Sequence, residues 1–170
     1  MSVARDDSRS DHTEEILSAW SRERPDVDVS SISIITPLWR LGRAVVLNRE
    51  RTLAAFDLDH SGLDVLATLR RSGAPYRLTS TELSLRCEVT LGATTQRVAR
   101  LEARGLIERI REEPDRRTVF VRLTMEGQEL LDEVFGEVMR SDETMLDGLS
   151  DNDRATLSRL LRRWERAVVR

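Results

Sequence analysis

Apolar residues recur along this chain at two spacings, one helical and one alternating. Steps of three and four residues predict seven helices, which cover residues 11–25, 31–56, 61–71, 79–87, 91–104, 124–146 and 151–168. Alternation with β-branched side chains predicts two strands, over 106–111 and 118–123, separated by the turn-forming residues 112–117. The pattern therefore predicts a mainly α-helical fold with a small two-stranded β-hairpin.

Capping residues indicate where several of these helices begin and end. Side chains with the spacing and chemistry of N-caps are Asp11 (with Glu14), Thr79 (with Glu82), Thr124 and Ser150. Gly105 followed by Leu106 is typical of a glycine C-cap, which would end the helix over 91–104. Pro37 either begins the main part of the second helix or kinks it.

The helices near both ends carry apolar stripes that a small central unit cannot cover. The second helix bears Ile35, Leu38, Trp39, Val45, Val46, Leu53 and Phe56. The last two helices bear Leu130, Leu131, Val134, Val138, Met139 and Leu146, then Leu157, Leu160, Leu161 and Trp164. We expect these stripes to be buried, in part against a second copy, because homodimers are the commonest symmetric assembly. The terminal helices are therefore predicted to form a dimer.

Composition excludes several classes of protein. The 170 residues are 34% charged and 4% aromatic, with a net charge of −3. No apolar run has the length of a membrane span and residues 1–12 lack a signal-peptide core, so a cytoplasmic protein without a membrane partner is expected. The single cysteine, Cys87, and the two histidines, His12 and His60, are too few to suggest a metal site. Without a nucleophile motif or a Gly-rich phosphate loop, no enzyme, catalytic residue or cofactor is expected.

Charge is distributed unevenly, and the basic segment coincides with the central helices and hairpin. Residues 86–122 carry 9 Arg and 6 acidic residues, a net charge of +3, although the whole chain is acidic. All 27 basic residues are Arg, whose planar guanidinium suits phosphate. Two short helices around a tight turn, followed by a basic hairpin, have the form of a DNA-binding unit. Double-stranded DNA is therefore the expected partner.

The residues that could contact DNA lie on the helix over 91–104 and at the hairpin tip. On the helix they are Thr94, Thr95, Gln96, Arg97 and Arg100, types that read base edges or hold phosphates. The alternative is a solvated helix face. At the tip, Arg116 and Arg117 could enter a narrow minor groove, or Pro114 and Asp115 could simply form a polar turn.

These motifs resemble the MarR family of winged helix-turn-helix regulators. The residues that carry the resemblance are Thr81-Glu-Leu83, Arg97-Val-Ala-Arg-Leu-Glu102, Gly105-Leu-Ile-Glu-Arg109, Asp115-Arg-Arg117 and Leu123-Thr-x-x-Gly127. The resemblance implies a homodimer with its recognition helix over 91–104 in the major groove and Arg117 of the wing in the minor groove. It also implies that Asp115 braces the wing through a salt bridge, and that Gln96 stands where the family usually has Asn.

A finer resemblance is to members with an extra N-terminal helix that respond to urate. Their pocket residues would correspond here to Trp20, Asp64, Arg97 and Arg109. A similar group with the motif Trp-x-Arg-Glu-Arg-Pro-Asp, residues 20–26 here, responds to citrate and aconitate. The resemblance implies a small organic anion of one of these two kinds. Alternatively, Asp64 caps its own helix after Ser61, Trp20 anchors a core, and Arg109 is an ordinary strand charge.

Together these expectations divide the chain into four segments. They are a disordered tail over 1–10, helices over 11–59 for dimerisation and one wall of the ligand pocket, the winged helix-turn-helix over 60–123, and dimerisation helices over 124–170. The expected function is a repressor released from a pseudo-palindromic operator by the anion. The alternatives are a DNA-binding regulator or architectural protein without a ligand, an enzyme, and a protein-interaction module. Cys87 is expected to be packed, although a redox role stays open.

Overall fold

The computed structural model describes residues 7–111 and 118–169. They fall into two compact units, Met1–Leu47 and Asn48–Arg170. The seven helices are α1 (Asp7–Glu23), α2 (Ile32–Ala54), α3 (His60–Arg71), α4 (Ser80–Arg86), α5 (Leu91–Ala103), α6 (Met125–Thr144) and α7 (Asp151–Val168). The strands are β1 (Arg77–Thr79), β2 (Ile107–Arg111) and β3 (Val119–Leu123). No helix in the described ranges combines the length and the apolar composition of a membrane span.

The predicted winged helix-turn-helix is confirmed, with one strand more than the sequence indicated. Strand β3 lies between β2 and β1, and both pairings are antiparallel. The hairpin aligns Ile107 with Leu123, and β1 aligns Leu78 with Val121. The two-stranded prediction was wrong because β1 has only three residues, too few to show an alternating pattern.

Most predicted helix caps are confirmed. Thr79 and Glu82 form the expected capping box, Thr124 accepts from the Gly127 amide at 3.0 Å, and Ser150 caps α7. Helix α1 begins at Asp7 rather than at Asp11, so residues 7–10 are helical and not part of a disordered tail. That stretch contains no Pro or Gly to interrupt a helix that continues from residue 11.

Pro37 lies inside α2, five residues after its start, rather than at the first turn. In the second unit, the end of α2 is joined to α6 by side-chain hydrogen bonds. Asn48 donates to the Ser141 hydroxyl at 2.7 Å, and Arg49 forms an ion pair with Asp142. These contacts hold the last two turns of α2 in the second unit.

The core of the second unit is built from α3, α5, α6 and the sheet. Its fully buried side chains include Leu53, Leu66, Leu69, Leu83, Ile107, Val65, Val98, Val121 and Val134. Helix α3 contacts α4, α5, α6 and two strands, so it is the central element of this unit. Burying these aliphatic side chains supplies the main driving force for packing α5 onto α3.

The apolar stripes of the terminal helices are mostly exposed in the single chain, in line with the expectation that a small central unit cannot cover all of them. In α2 only Leu53 is buried, whereas Trp39, Val45 and Val46 are exposed. Helix α6 buries Leu131, Val134 and Val138 but exposes Phe135, Met139 and Leu146, and α7 buries no residue. One chain offers too little surface to cover every stripe. Exposed apolar patches of this kind mark protein interfaces.

Gly127 allows the start of α6 to pass against the backbone of the loop after α5. A Cβ at this position would lie 2.0 Å from the Leu106 carbonyl oxygen. The same approach lets the Thr124 amide donate to that oxygen at 3.2 Å and the Thr124 hydroxyl donate to the Gly105 carbonyl at 2.7 Å. The Leu-Thr-x-x-Gly motif therefore attaches α6 to the end of α5.

We expect Gly127→Ala to lower the free energy of unfolding by about 2–4 kcal/mol, because the added methyl group overlaps backbone that cannot move without losing hydrogen bonds. Chemical denaturation followed by circular dichroism measures this change. Gly136→Ala, on the same helix with nothing within 4 Å of the added Cβ, is the control. It should instead raise stability by about 0.5–1 kcal/mol, as expected for glycine replacement within a helix. Equal effects at the two positions would contradict the packing explanation.

Candidate nucleic-acid interface

The predicted recognition helix, α5, is fixed at both ends by capping hydrogen bonds. Thr90 caps its N-terminus by accepting from the Ala93 amide at 3.2 Å. Gly105 ends it with φ of 73°, in the left-handed region that favours glycine, and the Leu106 amide donates to the Leu101 carbonyl at 3.1 Å. The sequence motif Gly-Leu after the helix thus sets the point where the chain turns into β2.

One face of α5 is buried and the opposite face is open. The buried residues are Thr94, Val98 and Leu101, which repeat at steps of four and three. The exposed face carries Gly92, Gln96, Ala99 and Ala103. With two alanines and a glycine, this face has little side-chain bulk, so the helix backbone can approach a flat or grooved partner closely.

The structure separates the three polar residues that the sequence grouped together. Thr94 is 1% exposed, and its hydroxyl donates to the Thr90 carbonyl at 3.1 Å, so it faces the core and does not reach a groove. We correct the expectation for this residue. Thr95 is exposed but donates to the Leu91 carbonyl at 2.9 Å. Gln96 is exposed and makes no side-chain hydrogen bond to any described residue.

Three arginines, two on one flank of α5 and one at its C-cap, face three aspartates from the α2–α3 region. Arg97 lies 3.5 Å from Asp64, Arg100 lies 3.0 Å from Asp59, and Arg104 lies 3.8 Å from Asp57. We call this row the Arg–Asp ladder. The arginines are spaced three and four residues apart, which places them on one side of a helix. Arg104 follows Arg100 by four residues, so its place on the same side could have been predicted from the sequence. The aspartate partners could not have been predicted, because they belong to another element.

Asp59 has two structural roles, and neither was predicted. Its carboxylate caps α3 by accepting from the Gly62 amide at 2.7 Å, and it also accepts from the Ser61 hydroxyl at 2.8 Å. Partial burial opposes ionisation, but these hydrogen bonds and the charge of Arg100 outweigh it and hold the pKa of Asp59 below its ordinary value. Asp59 is therefore a carboxylate throughout the neutral range.

Asp64 does not cap α3, because Asp59 occupies that position. Asp64 lies one turn into the helix, half-buried, and accepts from Nη1 of Arg97.

Cys87 lies beside this pair and contacts the Thr68 hydroxyl at 3.5 Å. Partial burial raises the pKa of the Cys87 thiol; the Thr68 hydrogen bond opposes this, and the nearby charge of Asp64 adds to it. A raised pKa disfavours the reactive thiolate, as expected for a packed cysteine.

Of the other predicted ligand residues, Arg109 has a different partner from Arg97. Arg109 pairs with Glu102 of α5, with Nη1 and Oε2 3.1 Å apart. Trp20 belongs to the first unit, where it is 52% exposed and does not act as a buried core anchor. The wing residues Asp115, Arg116 and Arg117 lie outside the described residues. Among the described residues, no cluster of three or more His, Cys, Asp or Glu side chains could hold a metal ion.

A short helix, a tight turn, a second helix with one exposed face, and a β-hairpin define a winged helix-turn-helix, a DNA-binding class of protein. Residues 56–118 match the model of the MarR family. The chain is 32% identical over 155 residues to the HTH-type transcriptional regulator PecS of Dickeya dadantii (strain 3937), covering 91% of this chain and 93% of that protein. This protein belongs to the MarR family and is a DNA-binding transcriptional regulator.

Two further comparisons agree with this assignment. The multiple antibiotic resistance protein MarR of Salmonella typhimurium (strain LT2) is 31% identical over 136 residues, covering 76% of this chain and 91% of that protein. The structure also resembles a cysteine-to-serine mutant of MarR from E. coli complexed with operator DNA. The TM-score is 0.61 at 28% identity, covering 81% of this chain and 98% of that chain.

The lowered pKa of Asp59 leads to a pH-dependent stability prediction. Its contribution is fully present above the unfolded-state pKa of about 3.9 and is lost as the pH falls through the lower folded-state pKa. We expect Asp59→Ala to reduce the free energy of unfolding by about 1 kcal/mol at pH 7, mainly through loss of the N-cap. In urea titrations from pH 7 to pH 2, the difference in unfolding free energy between Asp59→Ala and the original protein should become smaller as the pH falls.

Asp132→Ala is the control for this experiment, because Asp132 is an exposed carboxylate whose pair with Arg70 spans 3.3 Å. Its effect should stay below about 0.5 kcal/mol at every pH. A loss for Asp59→Ala that is the same at pH 7 and pH 2 would contradict the role assigned to the ionised carboxylate.

Proposed function

We propose that this protein is a homodimeric repressor that covers a pseudo-palindromic operator and is released by a small organic anion. The observation that carries the proposal is the arrangement of α5. Its exposed face is narrow and carries Gln96, whose side chain makes no hydrogen bond to any described residue. Its flank carries arginines that could exchange their aspartate partners for another anion. The first feature suits reading a DNA groove, and the second suits control by an anion.

The exposed face of α5 supports insertion into the major groove. Gly92, Ala99 and Ala103 leave space for base edges, so the helix can lie deep in the groove. Gln96 is the residue on this face that can donate and accept at once, which matches the N6 and N7 pattern of adenine. Thr95 lies beside it, and its hydroxyl oxygen still has accepting capacity. Arg97 and Arg100 lie on the flank, where phosphates would pass.

The wing supports a second contact outside the major groove. Residues 112–117, which connect β2 to β3 in the sequence, contain Arg116 and Arg117. We propose that one of these arginines reaches the minor groove and that Asp115 braces the turn. Arginine phosphate contacts would supply much of the affinity and make it salt-dependent.

The exposed apolar faces support dimerisation. Helix α7 exposes Leu157, Leu160, Leu161 and Trp164 along one side, at helical spacing, and buries none of them within the chain. Helix α6 adds Phe135 and Met139. A symmetric dimer would cover these faces and place two α5 helices about one helical turn of DNA apart. Dimerisation would therefore explain both the exposed apolar residues and a palindromic operator.

The Asp64–Arg97 pair supports control by an anion. Both side chains are half-buried, and Arg97 belongs to the helix that would enter the groove. An anion that replaces Asp64 as the partner of Arg97, with help from Trp20 and Arg109, would change the orientation of α5. A preference of about 1–3 kcal/mol for the state that cannot bind DNA is sufficient for such a switch. Urate and citrate or aconitate are the anions to test.

We expect Gln96→Ala to weaken binding to the operator by about 1–3 kcal/mol and to relax base preference at one position of each half-site. Fluorescence anisotropy with DNA flanking the protein's own gene, and with single-base variants of it, measures both effects. Gln128→Ala, which removes the same amide from α6, should leave the preference unchanged. If Gln96→Ala binds every variant in the same order as the original protein, Gln96 does not read a base.

We expect urate or citrate to release the protein from this DNA, and Arg97→Ala to remain bound at anion concentrations that release the original protein. The same anisotropy assay, titrated with each anion, tests this. Arg140→Ala on α6 is the control, since it removes one guanidinium outside α5 and should respond normally. Normal release of Arg97→Ala would exclude Arg97 as the relay. Tight binding that neither anion relieves would favour a regulator without such a ligand.

A further inference from the structure

We propose that Asp59 limits the DNA affinity of this protein by competing with the DNA backbone for Arg100. The proposal rests on the proposed DNA-binding function and adds to it an acidic residue outside the recognition helix. In the free protein, Asp59 and Ser61 hold Arg100. When DNA binds, a phosphate takes their place.

The geometry of the Arg100–Asp59 pair, the middle pair of the Arg–Asp ladder, supports this inference. Nη1 of Arg100 lies 3.0 Å from Oδ2 of Asp59, and Nη2 donates to the Ser61 hydroxyl at 2.8 Å. The guanidinium therefore engages a carboxylate and a hydroxyl at once, in the forked manner in which arginine engages a phosphate. The same donors cannot make both sets of bonds fully, so a phosphate must displace Asp59 and Ser61 at least in part.

Exposure makes this exchange possible at little cost. The side chains of Arg100 and Asp59 are 60% and 53% exposed, and a pair so accessible to water contributes little stability. Arg100 also borders the open face of α5, one turn after Gln96. It adjoins an open cleft of about 640 Å³, lined in part by Leu58, Asp59 and Arg104, which gives the side chain room to rotate.

The other two pairs of the Arg–Asp ladder do not combine exposure with dependence on side-chain contacts alone. Arg97 and Asp64 are both half-buried, so separating them would leave two charges unpaired where water reaches them less easily. Arg104 donates to the backbone carbonyls of Phe56 and Asp57, just after α2, in addition to its contact with the Asp57 carboxylate. Loss of that carboxylate would leave Arg104 in place. Arg100 depends on side chains alone and lies at the edge of the DNA-facing surface.

Asp59 opposes DNA binding in a second way. It is ionised in the neutral range, and a phosphate drawn to Arg100 would come close to this negative charge. Like charges at such range repel, and the repulsion is strongest at low ionic strength. Removing the charge while keeping the helix cap should therefore release Arg100 and remove the repulsion together.

The test compares Asp59→Asn with Asp57→Asn. Asparagine caps helices about as well as aspartate, so Asp59→Asn should keep α3 intact while removing the charge. Asp57→Asn removes the same charge two residues away, but leaves Arg104 held by backbone carbonyls. Asparagine also tolerates the left-handed backbone at position 57, where φ is 52°. The two variants thus match in charge and differ in whether an arginine is released.

We expect Asp59→Asn to tighten binding to a DNA duplex by about three- to tenfold at low salt, and Asp57→Asn by less than about twofold. The gain should shrink as salt is raised, because salt screens exposed charges. A duplex of unrelated sequence should show a similar gain, since phosphate contacts carry no sequence information. Ser61→Ala removes the hydroxyl that accepts from Arg100 and donates to Asp59, but keeps the Asp59 carboxylate as the cap of α3. It should tighten binding to a smaller extent.

Arg100→Ala decides whether the gain passes through Arg100. Combined with Asp59→Asn, it should abolish the gain, and alone it should lower the slope of log affinity against log salt by about 0.9. Asp59→Asn that binds no tighter than Asp57→Asn, or a gain that survives Arg100→Ala, would overturn the inference while leaving the regulator assignment intact. If the original protein binds neither duplex, the proposed DNA-binding mode fails and the inference with it.

Discussion

The packing of α5 against α3 is the constraint on which the rest of the second unit depends. Val98 and Leu101 are buried against the core, and this burial fixes which residues of α5 can face a partner. Once those positions are inside, helical geometry turns Gly92, Gln96, Ala99 and Ala103 outward and places the arginines on a flank. The surface proposed to face DNA is therefore a consequence of core packing.

Ion pairs then determine how the arginines beside this face are held. The Arg–Asp ladder runs along the contact between α5 and the α2–α3 region, so the basic residues of the recognition helix are partnered in the free protein. Exposed pairs of this kind contribute little to stability, and their weakness makes them suitable for exchange. The half-buried rung at Asp64 is proposed to respond to an anion, and the exposed rung at Asp59 to respond to DNA. One row of contacts would thus connect both ligands to the same helix.

The backbone carries a second constraint at the other end of α5. Gly105 turns the chain from helix to strand, and Gly127 lets α6 approach the Leu106 carbonyl. The helix that bears the exposed Phe135 and Met139 is thereby attached directly to the end of the recognition helix. Any change in the arrangement of a dimer formed through α6 would be transmitted to α5 through this contact, because a packed backbone contact deforms little.

The sequence by itself determined the order of the elements, the capping residues Thr79, Thr124 and Ser150, and the glycine turn after α5, because each depends on residues close together in the chain. It also located the helix that would meet DNA. The Asp59 cap of α3 is a local contact with Gly62 that the interpretation of Asp64 as the cap missed. Only the tertiary structure decided that Thr94 faces the core, that β1 joins the sheet, and that Arg97, Arg100 and Arg104 face aspartates. These outcomes depend on which elements pack together, and a pattern of local spacings does not contain the position of a neighbour more than thirty residues away. The same reason explains the exposed stripes on α6 and α7: periodicity shows that a face is apolar, and the fold decides whether this chain covers it.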